Sequence, residues 1–175
     1  FLKDEKIALL DREMLAGGEP TSETVLVKDV TILAPCQPSK VVCVGLNYKD
    51  HAKEMNMEMP TEPLLFLKPS TSVIGDGEKI IAPPQSTRLD YEGELAIVIG
   101  QEAKNIDAEI ELRVNGSLKQ KSNLNQLIFN VDEIVSYISK QMTLLPGDII
   151  LTGTPHGVGT VVPGDTMTVS ITGIG

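Results

Sequence analysis

The sequence predicts a mainly β protein with a few helices, folded as a mixed β-roll or barrel. A Pro-Gly-Asp turn occurs twice, at residues 146–148 and 163–165, and a predicted strand follows each copy. Asn115 and Gly116 form a two-residue hairpin turn, behind a stretch in which apolar and polar residues alternate. The core is expected to be aliphatic, because 41% of the 175 residues are hydrophobic but only 3% are aromatic.

The first 39 residues are predicted to form a small N-terminal appendage. Apolar residues at helical spacing predict a short amphipathic helix over residues 4–15, and residues 25–27 and 30–33 are predicted to be short strands. Two prolines then indicate a linker, so residues 40–175 are expected to form the main domain.

The main domain opens with an apolar run over residues 41–45, which is typical of a strand buried on both faces. Four further elements are predicted from capping residues, apolar centres and alternation: a helix from Asn47 or Asp50 to about Met57, an extended segment at 60–69, a strand at 109–114 and a helix behind residues 130–133. No glycine-rich phosphate fingerprint follows a strand, which disfavours a nucleotide-binding fold.

Glu92 and Glu94 are two residues apart within a predicted apolar strand. Side chains of a strand alternate between its faces, so both carboxylates are expected on the same side. Such a pair would repel itself and lose hydration unless a divalent cation neutralised it. A solvated strand face gives the same pattern, and the choice between the two readings depends on the rest of the chain.

Three further features carry chemistry. His51 and Glu54 lie three residues apart on a short helix, the arrangement of a general base and its orienting carboxylate, or of a solvated pair. The small-residue loop at 152–159 could hold an oxyanion with its backbone N–H groups and threonine hydroxyls, or be an ordinary turn. Lys68 could face a substrate carboxylate, although a lysine in such a position is more often simply exposed.

The composition of the chain limits the kinds of partner and metal that the protein is expected to bind. The net charge of −9, without a basic cluster, argues against nucleic acid and anionic membrane surfaces, and no apolar run reaches the length of a membrane span. Cys36 and Cys43 do not indicate a disulfide framework, and two histidines make a zinc site improbable. No charged-then-apolar leader is visible, so nothing suggests export, and two cysteines without a disulfide framework predict a reducing, cytoplasmic location.

Five motifs occur in an order that resembles the fumarylacetoacetate hydrolase family, of the acylpyruvate hydrolase and 2-hydroxyhepta-2,4-diene-1,7-dioate isomerase type. They occupy residues 41–54, 65–69, 90–95, 114–116 and 145–155. The resemblance covers the chain from about Thr31 onward and implies a β-roll that is usually a homodimer, with a Mg²⁺ or Mn²⁺ site.

The resemblance also implies roles for individual residues. Glu92 and Glu94 match two metal ligands, and His51 and Glu54 match the catalytic histidine and its carboxylate. Thr154 falls where a threonine contacts substrate, beside Thr152 and Gly153. Family members cleave or isomerise dicarbonyl acids, and some decarboxylate oxaloacetate, so a metal-stabilised enolate of a small 2-oxo or 1,3-dicarbonyl acid is the expected chemistry.

One departure from the family pattern stands out. In the family, a segment with an aspartate metal ligand, an arginine and a lysine is expected between the Glu-x-Glu strand and the hairpin. In this chain only residues 101–108 connect the two. The family segment is therefore absent, and we place the break in the family pattern between residues 106 and 107. Either the segment belongs to a longer chain, or this is a degenerate member that is a non-catalytic dimeric scaffold. A third reading, an iron oxygenase, would need two suitably spaced histidine ligands and a carboxylate, which His51 and His156 do not provide.

Overall fold

A computed structural model of the chain describes residues 2, 3, 5–100 and 108–173. The predicted break between residues 106 and 107 therefore lies outside the described residues. The described part is mostly sheet with two α-helices, which confirms the predicted fold class, although its strands form four separate sheets rather than one closed ring. Within these residues, neither helix is long and apolar enough to cross a bilayer.

The N-terminal region is a small antiparallel sheet of three strands. Its strands are β1 (Leu2–Lys3), β2 (Lys6–Leu10) and β3 (Pro20–Leu26), in that spatial order. The helix predicted over residues 4–15 is wrong: strand β2 occupies residues 6–10, and the 3₁₀ turn Met14–Ala16 is the only helical element in the described part of this stretch. Cross-strand pairing with β3 overrides the weak helical spacing of the apolar residues. The strand predicted at 30–33 is also absent, whereas that at 25–27 overlaps the end of β3.

The central sheet has four strands and carries the proposed catalytic helix at one of its ends. Strand β4 (Val41–Gly45) lies in its interior, parallel to a later strand, and its first four residues are buried, as predicted. Helix α1 (Lys49–Glu54) follows β4 and is shorter than predicted. Strand β5 (Leu64–Lys68) pairs with β4 and forms one edge of the sheet.

The acidic segment interrupts its strand. Strand β6 (Asp90–Tyr91) ends before the first glutamate, and β7 (Ala96–Val98) begins after Leu95. The predicted continuous Glu-x-Glu strand is therefore wrong at residues 92–95. Exposure still alternates along this stretch, with Gly93 and Leu95 buried and Glu92 and Glu94 more open, so the two glutamates share a side as expected.

A bulged hairpin stands beside the central sheet. It joins β8 (Glu109–Val114) to β9 (Ser117–Asn123) through Asn115 and Gly116, whose φ values are 50° and 78°. Positive φ at both positions is the type I′ geometry that the Asn-Gly pair predicts. The register shifts where Leu112 is opposite Gln120 and Arg113 is opposite Leu118, which leaves one extra residue in β9.

The last elements complete the core. Helix α2 (Val131–Gln141) begins with the predicted capping box, in which Asn130 and Glu133 exchange hydrogen bonds. Its residues Ile134 and Ile138 pack on Val42, Val44 and Ile150, which gives the central sheet one apolar face. Three strands follow: β10 (Ile149–Leu151) joins the central sheet, β11 (Gly159–Thr160) pairs with β6, and β12 (Met167–Ile171) pairs with β8.

Candidate active site

Helix α1 presents an imidazole held by a carboxylate. His51 Nδ1 lies 3.1 Å from Glu54 Oε2, one turn along the helix. The His51 side chain is only 13% exposed, and that of Glu54 is 41% exposed. An ionised carboxylate can only accept hydrogen bonds, so this contact puts the proton on Nδ1 and leaves Nε2 as the basic nitrogen. The geometry is that of a general base with an orienting group.

Glu94 is anchored to the small-residue loop. Its Oε2 accepts a 2.6 Å hydrogen bond from the Gly153 backbone nitrogen. The pKa of Glu94 is raised to about 7: burial and the neighbouring charge of Glu92 raise it, whereas the Gly153 hydrogen bond and the charge of Lys68 lower it. A carboxyl group with this pKa is poised to lose its proton near neutrality when a cation approaches.

Only glycine fits at position 153. Its φ is +95°, and an added Cβ would lie 2.9 Å from Asn47 Cβ and 3.1 Å from the Val44 carbonyl oxygen. The backbone can therefore pass close to the end of β4 and point its N–H at Glu94. Gly153, predicted as a substrate-binding residue, lies at this point as a donor to one of the two glutamates.

Thr154 and Gln120 link the acidic segment to the loop. The buried Thr154 hydroxyl donates to the Gly93 carbonyl oxygen at 3.0 Å and accepts from Gln120 Nε2 at 2.9 Å. Gln120 Oε1 accepts from the Gly93 nitrogen at 2.8 Å, and Nε2 also donates to the Pro155 carbonyl oxygen. The hydroxyl predicted to contact substrate thus has two protein partners here, and its catalytic role stays a prediction.

Thr152 also has protein partners. Its hydroxyl donates to the Leu95 carbonyl oxygen at 3.2 Å, and its own carbonyl oxygen accepts from Asn47 Nδ2 at 2.8 Å. The same Asn47 side chain donates to the Phe129 carbonyl and accepts from the Phe129 nitrogen, all while fully buried. Asn47 therefore ties the loop to the entry of α2, and the predicted substrate role of Thr152 stays a prediction.

Lys68 stands at the edge of this group. It is exposed at the end of β5, and its charge lowers the pKa of both Glu94 and the Cys43 thiol. The net pKa of Cys43 is nevertheless raised to about 11, because burial outweighs Lys68 and the two glutamates act with burial. Lys68, Glu92 and Glu94 are therefore close enough to interact electrostatically.

Several residues that hold the candidate site together were not identified from the sequence. Asp50 Oδ2 lies 2.9 Å from His156 Nδ1 and accepts a hydrogen bond from Ser122 Oγ at 2.9 Å, so the loop histidine His156 has a carboxylate partner that is distant in sequence. Gln120 gave no signal because its burial depends on the bulge in β9, which turns it inward and leaves Leu118 on the opposite, exposed side. Asn47 was predicted only as a possible cap of the first helix; the N-cap of α1 is Tyr48, and the Asn47 side chain bonds Thr152 and Phe129 instead.

Tyr48 is the remaining unusual group. Its ring is fully buried among Leu95, Ile110 and Leu127, and its hydroxyl has no hydrogen-bond partner among the described residues. Burial raises the pKa of the phenol, and the charges of Asp50 and Glu94 raise it further, so the group stays protonated. An unpartnered buried hydroxyl beside an acidic site is a cost to folding.

The two glutamates fit a hard divalent cation in part. Mg²⁺ and Mn²⁺ prefer carboxylate oxygens, and no described residue donates a hydrogen bond to Glu92 or to Oε1 of Glu94. No group of three or more His, Cys, Asp or Glu side chains suited to a metal occurs within the described residues. The residues present thus account for two oxygen ligands of such a cation, and no third ligand is assigned.

Comparison with protein families gives two matches. A model described as fumarylacetoacetate (FAA) hydrolase C-terminal matches residues 40–109 and 106–175. A model described as Rv2993c-like, N-terminal, matches residues 1–35. The first match covers most of the chain, in two segments that meet near the predicted break.

Similar proteins occur in archaea and mammals. Protein MJ1656 of Methanocaldococcus jannaschii is 37% identical over 224 positions, which cover 98% of this chain and 92% of the relative. The oxaloacetate tautomerase Fahd2a, mitochondrial, of Rattus norvegicus is 35% identical over 218 positions, which cover 91% of this chain and 69% of the relative. Both alignments exceed the 175 residues of this chain, so they include positions with no counterpart in it.

A solved structure shares the fold. The crystal structure of 2-hydroxyhepta-2,4-diene-1,7-dioate isomerase from Mycobacterium marinum superposes with a TM-score of 0.86 at 31% identity. The match covers 97% of this chain and 84% of that one. The similarity therefore extends over both the N-terminal sheet and the main domain.

Proposed function

Because this chain belongs to the fumarylacetoacetate hydrolase family, we propose that it is an enzyme that moves a proton on a small 2-oxo acid through an enolate. Isomerisation and keto–enol tautomerisation are the first choice, because the similar proteins include an oxaloacetate tautomerase and a hydroxyheptadienedioate isomerase. The observation that carries the proposal is the loop at 152–159. It donates from Gly153 to Glu94 and from Gly157 to Glu54, so one segment serves both acidic groups.

In this proposal His51 is the base. Its Nε2 removes a proton from the substrate carbon next to the keto group, while Glu54 keeps the Nδ1 proton in place and stabilises the imidazolium that forms. The same Nε2 can return the proton to a different atom of the enolate. A tautomerase and an isomerase then differ only in which atom receives it.

The proposed reaction also requires groups that stabilise the negative charge of the substrate and of its enolate. Glu92 and Glu94 would hold Mg²⁺ or Mn²⁺, and such a cation supplies Lewis-acid stabilisation of the negative charge that develops in the reaction. Lys68, exposed and close enough to affect Glu94, is suited to bind a carboxylate of the substrate. An overall acidic chain needs such local positive charge to hold an anion.

Hydrolysis of acylpyruvates is an alternative reaction that would use the same base and the same enolate. It needs water as the group that His51 activates, and C–C cleavage instead of proton return. A non-catalytic scaffold is the second candidate, and the observation favouring it is that no set of three metal-ligating groups occurs among the described residues.

Proton exchange tests these possibilities directly. Oxaloacetate, an acylpyruvate and a dienoic diacid are incubated in D₂O with the protein and Mg²⁺ or Mn²⁺, and ¹H NMR follows both deuteration next to the keto group and C–C cleavage. We expect catalysed deuteration without cleavage, lost in His51→Ala. Cleavage would identify a hydrolase, and no change in any substrate above the protein-free control would favour the scaffold.

We also propose that the protein is a homodimer. Strand β5 is an edge strand whose Leu64, Phe66 and Leu67 are exposed, and exposed apolar edges are usually covered by a partner. Sedimentation equilibrium should give twice the chain mass, and Leu64→Lys should shift the equilibrium toward monomer. A monomeric wild type would contradict this proposal and leave the catalytic one intact.

A further inference from the structure

Helix α1 carries two carboxylates, one turn apart, that contact the same loop. Glu54 accepts from the Gly157 nitrogen, at 3.1 Å to Oε1 and 3.2 Å to Oε2. Asp50 lies 2.9 Å from His156 Nδ1. Each carboxylate also contacts His51, through its ring in the case of Glu54 and through its backbone nitrogen at 2.8 Å in the case of Asp50. The two contacts with the loop therefore surround the proposed base.

The contact with Gly157 matters because the Glu54 carboxylate could otherwise be hydrated by solvent instead of bonding to His51. Its side chain is 41% exposed, so water competes for the carboxylate that orients His51. The Gly157 N–H is the one protein donor, besides His51, that reaches this carboxylate among the described residues. If this N–H moved away, Glu54 could rotate toward solvent and His51 would lose the partner that fixes its tautomer.

The position of Gly157 depends on its neighbours. A Cβ added there would lie 2.4 Å from the Lys119 carbonyl oxygen, so the loop backbone rests directly on β9. On the other side, the preceding residue His156 bonds to Asp50, whose carboxylate is also held by Ser122 of β9. The His156–Asp50 bond thus joins the loop to α1 at the point where Gly157 meets Glu54.

We propose that His156 is a positioning residue for the His51–Glu54 pair. Its Nδ1–H bond to Asp50 holds the Gly157 N–H on Glu54, and Glu54 in turn keeps the His51 proton on Nδ1. This inference rests on the proposed function for its kinetic consequence, but not for its structural one. The tautomer of His51 is measurable whether or not the protein turns over any substrate.

His156 could instead exchange a proton with the substrate itself, and the structure offers a way to separate this direct role from the positioning role. The His156 side chain is 49% exposed, and no described residue forms a hydrogen bond with its Nε2. A direct acid–base role would use Nε2, whereas the positioning role uses only the hydrogen bond from Nδ1. Asparagine places an N–H near the position of Nδ1 but has no group equivalent to Nε2. His156→Asn should therefore rescue a positioning role and fail to rescue a direct one.

The spectroscopic test uses the small number of histidines. The chain has two, so ¹⁵N side-chain spectra of His51 can be assigned by comparing wild type with His156→Ala. We expect wild type and His156→Asn to show His51 with its proton on Nδ1, and His156→Ala to show a mixture of tautomers. Lys53→Ala, an exposed change on the same helix, is the control and should resemble wild type. An unchanged His51 tautomer in His156→Ala would overturn the proposal.

Kinetics give the second measurement on a substrate that wild type turns over. His156→Ala should lower kcat about tenfold, a part of the 10²–10⁴-fold that general acid–base catalysis contributes, with KM within about twofold of wild type. His156→Asn should restore most of the kcat. If His156→Asn stays as slow as His156→Ala, positioning is excluded. If alanine does not fold, His156→Leu replaces it, because leucine keeps the volume of the ring without a donor.

These outcomes are distinct from a failure of the proposed function. A wild-type protein without turnover would remove the enzymatic proposal, and the ¹⁵N spectra would still decide whether His156 sets the tautomer of His51. Conversely, normal turnover by His156→Ala with an unchanged His51 spectrum would remove the positioning role alone.

Discussion

The Gly153 backbone nitrogen lies 2.6 Å from Glu94 Oε2, although 59 residues separate the two in the chain. This bond connects the segment that carries both glutamates to the loop that also reaches Glu54 and, through His156, Asp50. Glycine at position 153 makes the bond possible, because any side chain would collide with the end of β4. The relative position of base and acidic pair is therefore set by backbone geometry in one short loop.

Replacement of Gly153 should separate crowding from backbone strain. Gly153→Ala and Gly164→Ala both force a side chain onto a positive φ, +95° and +98°, but an added Cβ at Gly164 meets nothing within 4 Å. Both should lose about 1–3 kcal/mol of unfolding free energy from backbone strain, and Gly153→Ala should lose about 1–3 kcal/mol more from overpacking. Urea denaturation measures both. Equal losses would show that the loop can move away from β4.

The protonation of Glu94 should make stability depend on pH. Burial raises its pKa from 4.5 to about 7, so between these values the folded metal-free protein retains a proton that the unfolded chain has released. The unfolding free energy should therefore fall as pH rises through this window, by on the order of 3 kcal/mol for this group. Denaturation of the metal-free protein across the window should show this decline, and Glu94→Gln should lack it. The same decline in both proteins would assign it to another group.

The same proton opposes the binding of a cation. If Mg²⁺ binds through Glu94, its affinity should weaken by up to about tenfold per pH unit below the pKa of about 7 and level off above it. Calorimetry in two buffers of different ionisation enthalpy would show proton release in the lower range. Glu92→Gln removes one ligand and should weaken binding at every pH. Binding that is equally tight on both sides of the pKa would place the cation away from Glu94.

Loss of the Gln120 amide should destabilise the protein and loosen the site. Gln120→Met keeps the shape of the side chain but leaves the buried Gly93 nitrogen without its acceptor and removes the donor to Thr154 and Pro155. Each unsatisfied buried group costs about 1–3 kcal/mol, so we expect a total loss of about 2–4 kcal/mol in urea denaturation. Gln126→Met, at an exposed residue, is the matched control and should lose less than about 0.5 kcal/mol. A small loss at both positions would mean that water replaces the amide.

Much of the main domain was predictable because its signals are local. The buried run of β4, the Asn115–Gly116 turn and the capping box of α2 are each specified by a few adjacent residues, and all three are confirmed. The N-terminal helix failed because three apolar residues at helical spacing cannot outweigh pairing between β2 and β3. Local spacing therefore predicts elements well only where tertiary pairing does not compete with it.

The site divides in the same way. The His51–Glu54 contact follows from helix periodicity, and the sequence predicted it. The Asp50–His156 and Gly93–Gln120 contacts join residues that are 106 and 27 positions apart, and no periodicity connects them. The interruption of the strand at residues 92–95 belongs to this second group, since side chains such as Gln120 replace the missing strand partners. Long-range polar contacts of this kind become visible only in three dimensions.

Removal of the Tyr48 hydroxyl should leave stability unchanged or raise it. The hydroxyl is buried without a partner among the described residues, so Tyr48→Phe deletes a desolvated polar group and keeps the ring among its apolar neighbours. We expect an unfolding free energy equal to wild type or higher by up to about 1 kcal/mol. Tyr137→Phe is the control, because that hydroxyl is exposed and contacts Glu62 at 3.2 Å, and its removal should be nearly neutral. A loss of more than about 1 kcal/mol in Tyr48→Phe would show that the hydroxyl has a stabilising partner in solution, such as a buried water.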